Sequence, residues 1–207
     1  VKQIMLVKDM YLKNKRLFFY FFLIIFFLFS NKVYSNSNDK LALINYLESL
    51  QNFSASFLQN DGKSLSEGKI YIGKKRVRAE YSKPEKILII LDENKAMYYN
   101  YELEEDEFFN PKNTNAWFFY DIFRNPLFFK DANIELKDNQ LTLEKNSFDI
   151  EERKYFIKIY FESDPLVLRK LELRNNQESL TLSIYNHNYN EELNRDLFKL
   201  ISPKLLN

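Results

Sequence analysis

The chain has 207 residues, no cysteine, one histidine, three glycines, a formal net charge of +1 and a mean hydropathy of −0.44. Without cysteine there is no disulfide framework and no thiol to carry a lipid anchor. Three glycines cannot build a glycine-rich phosphate loop, and near-neutral charge gives no basic excess for nucleic acid.

At the N-terminus, Lys8, Lys13, Lys15 and Arg16 precede an apolar run from Leu17 to Phe29. Thirteen residues are short of the ~20 a membrane-spanning helix needs, and Val33-Tyr34-Ser35 offers the small-residue pattern that signal peptidase reads. Residues 1–35 are expected to be a signal peptide cleaved after Ser35, with Met10 able to begin a complete signal; an uncleaved anchor is the alternative. The protein is then expected to be exported and soluble. The leader carries six Lys/Arg and one Asp, so removing its +5 takes the chain from +1 to −4. Residues 36–207 suit one domain.

Asp39 is a candidate N-cap for a helix with Leu43, Leu47 and Leu50 on one face. From Phe53 the apolar period becomes two, and Asn60-Asp61-Gly62 reads as a turn. Gly68 to Phe109 then reads as an antiparallel meander of four or five strands. In it Val77, Ala79 and Tyr81 share one face, and Arg76, Arg78 and Glu80 share a face expected in water. Ile87 to Leu91 is a continuous apolar strand, followed by a turn at Asp92-Glu93-Asn94 and a return strand from Ala96 to Asn100. The acidic run Glu104 to Glu107 reads as a solvated edge, since consecutive strand residues alternate in direction and cannot converge on a metal. Between Asn110 and Lys130, Trp117, Phe118, Phe123, Leu127 and Phe128 crowd into one or two short helices. These read either as a core helix or as a lid over an apolar cavity.

The second half returns to strands, at Asn133–Lys137, Gln140–Lys145, Tyr155–Glu162, Leu168–Arg174 and Ser179–His187, before a brief helix over Leu193–Leu200. About ten or eleven short strands and few helices predict a mainly β fold, a strongly curved antiparallel sheet or barrel. His187 stands alone and no Ser lies in a G-x-S-x-G elbow, so no catalytic residues, metal ligands or cofactor are expected.

The order Phe53-x-x-x-Phe57-x-Gln59, Gly68-x-x-Tyr71, Arg76-x-Arg78-x-x-Tyr81-x-x-Pro84, Leu88-Ile89-Ile90-x-Asp92 and Tyr99-Asn100 resembles the periplasmic outer-membrane lipoprotein carrier family, LolA. Asn125-Pro126-Leu127, Leu168-x-x-Leu171 and Leu197-Phe198 ahead of Pro203 continue the resemblance. It implies an incomplete, unclosed antiparallel barrel of about eleven strands with an N-terminal helix and short lid helices. It also implies a monomeric carrier that takes acylated lipoproteins from an inner-membrane ABC transporter and passes them to an outer-membrane receptor, where one is present, or to the membrane. The residues expected on the acyl-chain wall are Val77, Ala79, Tyr81, Ile89, Met97 and Tyr99, and on the lid Trp117, Phe118, Phe123, Leu127 and Phe128. Where the family has an Arg-Pro pair, with the Arg holding the lid closed, this chain has Lys74-Lys75, which leaves Lys74 as the candidate latch. The alternatives are a binding module for another amphiphile and a structural exported β-protein.

Overall fold

The structure, a computed structural model, describes residues 37–148, 153–190 and 192–205; the expected signal peptide lies outside them. Eleven strands form one antiparallel sheet in the order β6-β5-β4-β3-β2-β1-β11-β10-β9-β8-β7. The strands are β1 (Phe53–Asn60), β2 (Leu65–Ile72), β3 (Val77–Lys83), β4 (Ile87–Leu91), β5 (Ala96–Asn100), β6 (Glu105–Phe109), β7 (Asn133–Lys137), β8 (Gln140–Phe148), β9 (Lys154–Ser163), β10 (Leu166–Arg174) and β11 (Ser179–Asn188). Every neighbour is a chain neighbour except at the seam, where β1 pairs with β11. The chain therefore walks outward from β1 to β6, crosses through residues 110–132, and walks back from β7 to β11. The edge strands β6 and β7 do not pair with each other, so the barrel stays open.

Three register shifts interrupt the ladders, between Ser54 and Ser56, Glu67 and Gly68, and Leu168 and Lys170. Bulges bend and twist a strand locally, and here they let both halves of the sheet face one interior. Phe53, Phe57, Ile70 and Val77 from one half and Tyr155, Ile157, Phe161 and Leu182 from the other belong to a single buried cluster. At roughly 1.5–3 kcal/mol per large apolar side chain taken from water, this cluster is the main source of stability.

Helix α1 (Ser37–Ser49) lays Leu43 and Leu47 on that cluster, with Leu50 just beyond its end. It already runs from Ser37, so Asp39 falls in its first turn instead of at the cap. Asn52, in the left-handed region at φ 57°, turns the chain into β1. Helix α2 (Ala116–Arg124) closes the interior from the other side with Phe118, Ile122 and Phe123. It stops at Asn125, held extended ahead of Pro126; Asn125 Oδ1 then accepts from Leu127 N to open the 3₁₀ turn Pro126–Phe129.

A second apolar cluster, Leu88, Ile90, Met97 and Tyr99, lies on the outer face of β4 and β5 and is covered by Leu200. The C-terminal segment crosses that face as a strap. Arg76 and Arg78 donate to the carbonyl oxygens of Phe198 (2.7 Å) and Leu197 (2.6 Å), and Ser202 Oγ donates to Asp106 at 3.1 Å. The arginine stripe expected in water is therefore largely covered, because its guanidinia satisfy carbonyls of a segment far along the chain. The acidic edge matches expectation: Glu104 to Glu107 is exposed at or beside β6.

Candidate functional site

Register decides which residues can line the interior. Antiparallel partners share a face, and Val77 pairs with Leu91, Ala79 with Ile89, and Tyr81 with Ile87. These form one inner wall, with Val77 buried and Ala79, Tyr81 and Ile89 packed against the main cluster. The β4–β5 hairpin closes through Asp92–Lys95, so Ile89 faces Tyr98 while Ile90 faces Met97 and Leu88 faces Tyr99. Met97 and Tyr99 thus lie on the opposite face, under the strap. The expectation that they join the wall is corrected by the parity of a four-residue connection.

Tyr81 shows how this wall is held. Its ring meets Phe57 edge-on at 5.0 Å and its hydroxyl donates to Gln59 Oε1 at 2.8 Å, while burial pushes the phenol up to about 12. Opposite Phe57 stands Gly68, where a Cβ would sit 2.3 Å from Glu80 O and 2.5 Å from the Phe57 ring. Only glycine admits that ring.

The lid residues divide. Phe118, Phe123 and Phe128 are buried in the main cluster, and Phe118 lies 4.9 Å from the ring of Tyr155. Trp117 is half-buried and stacks on Tyr120, which itself packs against that cluster. Leu127 is 75 % exposed and points away from the interior, because a 3₁₀ turn that buries both Phe128 and Phe129 leaves no inward direction for it.

Polar contacts pin the segment 110–132 around its perimeter. Lys112 Nζ donates to Asn94 Oδ1 at 2.9 Å and Asn115 Nδ2 to Glu178 Oε2 at 3.2 Å. Lys145 and Lys40 reach the carbonyls of Phe128 and Lys130. Arg124, on the last turn of α2, donates to Leu50 O at 3.0 Å and Lys74 O at 3.4 Å. Lys74, the expected latch, is exposed; the atom it brings to α2 is its backbone oxygen, and the cation of this contact is Arg124 on α2 itself. Burial pushes the Arg124 pKa down. Helix α1 is fixed by Tyr46, whose hydroxyl accepts from Leu168 N at 3.0 Å. Leu168 lies at the β10 bulge, and its carbonyl accepts from His187 Nε2 at 2.7 Å.

A cleft of about 290 Å³ opens between α1 and α2, lined by Ile44, Leu47, Ile122, Phe123 and Arg124 with Lys74 at its rim. Deeper in, the space is filled by buried aromatic rings. Among the described residues no group of three or more His, Asp or Glu could hold a metal ion, and no helix is long and apolar enough to cross a membrane.

A family model described as outer membrane lipoprotein carrier protein LolA matches residues 48–201. No curated protein sequence matches. Among solved structures, an uncharacterized conserved protein from Thermus thermophilus superposes with a TM-score of 0.53 at 10% identity, over 82% of this chain and 96% of that one. The Pseudomonas aeruginosa MucA/MucB complex gives 0.47 at 11% identity over 81% and 62%, and LprF from Mycobacterium bovis 0.39 at 8% over 74% and 95%. The first of these likenesses is one of fold.

Proposed function

The chain belongs to the LolA family of outer membrane lipoprotein carriers, and we propose that it is exported to the periplasm and shuttles acylated lipoproteins from the inner to the outer membrane. The observation that carries this reading is one continuous apolar interior, closed on its open side by a short helix segment that perimeter hydrogen bonds hold in place. Val77, Ala79, Tyr81 and Ile89 serve as wall, and Phe118, Phe123 and Phe128 as the inner face of the lid.

The energetics favour such a device. Each methylene taken from water is worth about 0.8 kcal/mol, so two or three long acyl chains together resist release into water by tens of kcal/mol. Transfer must pass from one apolar site directly to another, and the carrier must not hold its cargo too tightly. A lid whose own aromatic rings refill the interior competes with cargo and keeps release possible. Binding and hand-over, with no bond made or broken, are the chemistry proposed.

The partners that follow are an inner-membrane ABC transporter that loads the carrier and an outer-membrane acceptor, either a receptor or the bilayer. The test is to mix the purified protein with inner-membrane vesicles bearing a labelled lipoprotein and the transporter. ATP-dependent appearance of a soluble one-to-one complex is expected; labelled lipoprotein that stays in the vesicles overturns the reading.

A further inference from the structure

Among the described residues, two buried side-chain polar atoms have no hydrogen-bond partner, Arg124 Nε and Tyr155 Oη, one on α2 and one against it. Arg124 ends α2; Tyr155 lies on β9 under Phe118 of the same helix. Tyr155 is 1 % exposed, and the residues that follow it on its face of β9, Ile157, Ile159 and Phe161, are all apolar and buried. A buried hydroxyl normally finds a partner. An ordered water needs two to four polar groups to hold it, and along that face of β9 the side chains supply none. A phenylalanine would fill the same volume without an orphaned donor.

We infer that Tyr155 Oη is a donor kept for the cargo: when α2 swings out and acyl chains replace Phe118, the phenol hydrogen-bonds the carbonyl oxygen that links a chain to its headgroup. The inference rests on the carrier reading and names the chemical feature read beyond bare hydrocarbon. A neutral donor in apolar surroundings suits a neutral acceptor such as an ester or amide carbonyl. A carboxylate or phosphate would have to shed its hydration to reach it. Tyr155 would thus set how deep a chain slides, because only the carbonyl end of an acyl chain satisfies it.

The test compares a fluorescent diacylglycerol with its dialkyl ether counterpart of equal chain length, which lacks the carbonyls. The wild-type protein should bind the ester about three- to tenfold more tightly, the worth of one net hydrogen bond. Tyr155→Phe should lose that preference through weaker ester binding, with ether binding unchanged. As a readout that a purely structural role would not move, the carbonyl stretch of a carbon-13 labelled ester should shift to lower wavenumber in the wild-type complex and return in Tyr155→Phe. Equal affinities of wild type for the two probes, a preference that survives in Tyr155→Phe, or an unshifted carbonyl band overturns the inference and leaves the carrier reading standing. Failure of wild type to bind either probe removes both.

Discussion

The Arg124 guanidinium, on the last turn of one helix, donates at 3.0 Å to the carbonyl oxygen of Leu50, just past the end of the other. One cation therefore bridges the two helices that cover the interior, and it reaches the β2–β3 turn as well through Lys74 O. Hydrogen bonds from a charged donor are worth about 1.5–3 kcal/mol. Arg124 is only half-buried and leaves one nitrogen unpaired, so the net worth lies near the low end. Arg124→Met should lower global stability by about 1.5 kcal/mol and speed amide exchange across residues 116–130 far more than elsewhere. Lys74→Ala should change neither, since only the backbone of Lys74 takes part. Unchanged exchange in Arg124→Met would show that the latch lies elsewhere.

Gly68 and Gly73 separate two kinds of close approach. A methyl at Gly68 would meet the Glu80 backbone oxygen at 2.3 Å and the buried Phe57 ring, and neither can retreat. Gly68→Ala should destabilise by at least the ~1–3 kcal/mol typical of overpacking, read from urea unfolding. At Gly73 the nearest atom is Phe198 Cζ at 2.9 Å, the tip of a side chain on the strap. Gly73→Ala should cost well under ~1 kcal/mol and shift Phe198 resonances alone. Equal losses at the two sites would contradict this distinction.

Local periodicity made much of this fold legible. The alternation of Val77, Ala79 and Tyr81 against Arg78 and Glu80 identified β3 and its inner face, and all five expected strands of the second half are present, β7 to the residue, as β4 and β5 are in the first half. What escaped was set by relations between segments. The side of Met97 depends on whether the loop before it has three or four residues, which shifts every side chain after it to the other face. The arginines of β3 read as solvent-side because nothing near them in sequence announces the strap, whose Leu197 and Phe198 carbonyls lie about 120 positions away. Arg124 escaped for the same reason, since its acceptors are backbone atoms that no side-chain pattern marks.

The strap should stabilise without contributing to cargo binding. Leu200 packs on Leu88, Ile90, Met97 and Tyr99, on the face away from the interior. Because it is only partly buried, Leu200→Ala should cost about 1–2 kcal/mol, below the 2–5 kcal/mol of a fully buried leucine, and should raise binding of a hydrophobic dye to the outer face. Affinity for an acyl probe should stay at the wild-type level. A loss of probe affinity larger than the loss of stability would place the outer face in the binding path.

His187 supplies a pH dependence that can be assigned to one group, because it is the only histidine in the chain. Burial is the main cause that pushes its pKa below the ordinary 6.5, with the Arg169 charge adding to it and the Leu168 carbonyl opposing. The neutral ring is the form the fold prefers, so on acidification the unfolded chain takes up the proton first. Stability is then fully present above pH ~6.5 and falls as pH drops from there through the lower folded pKa. His187→Gln keeps a donor for Leu168 O and should flatten the curve between pH 7 and pH 5. A slope that persists in the variant would assign the effect to carboxylates instead.

Leu127 and Phe128 are adjacent in sequence and opposite in environment, which makes them a test of the lid's inner face. Leu127 is 75 % exposed and Phe128 is 3 % exposed. Leu127→Ser removes little that is buried, so stability should stay within about 0.5 kcal/mol of wild type. Phe128→Ala empties part of the interior and removes the edge-to-face contact with Phe129 at 4.9 Å, for an expected loss of about 3–5 kcal/mol. The same change should act oppositely on cargo, because a chain that must displace Phe128 gains when that ring is missing. Tighter binding of an acyl probe together with lower stability is the signature of a lid that competes with its ligand. If Phe128→Ala weakens probe binding as well, the ring grips the chain directly and the lid closes over cargo that is already inside.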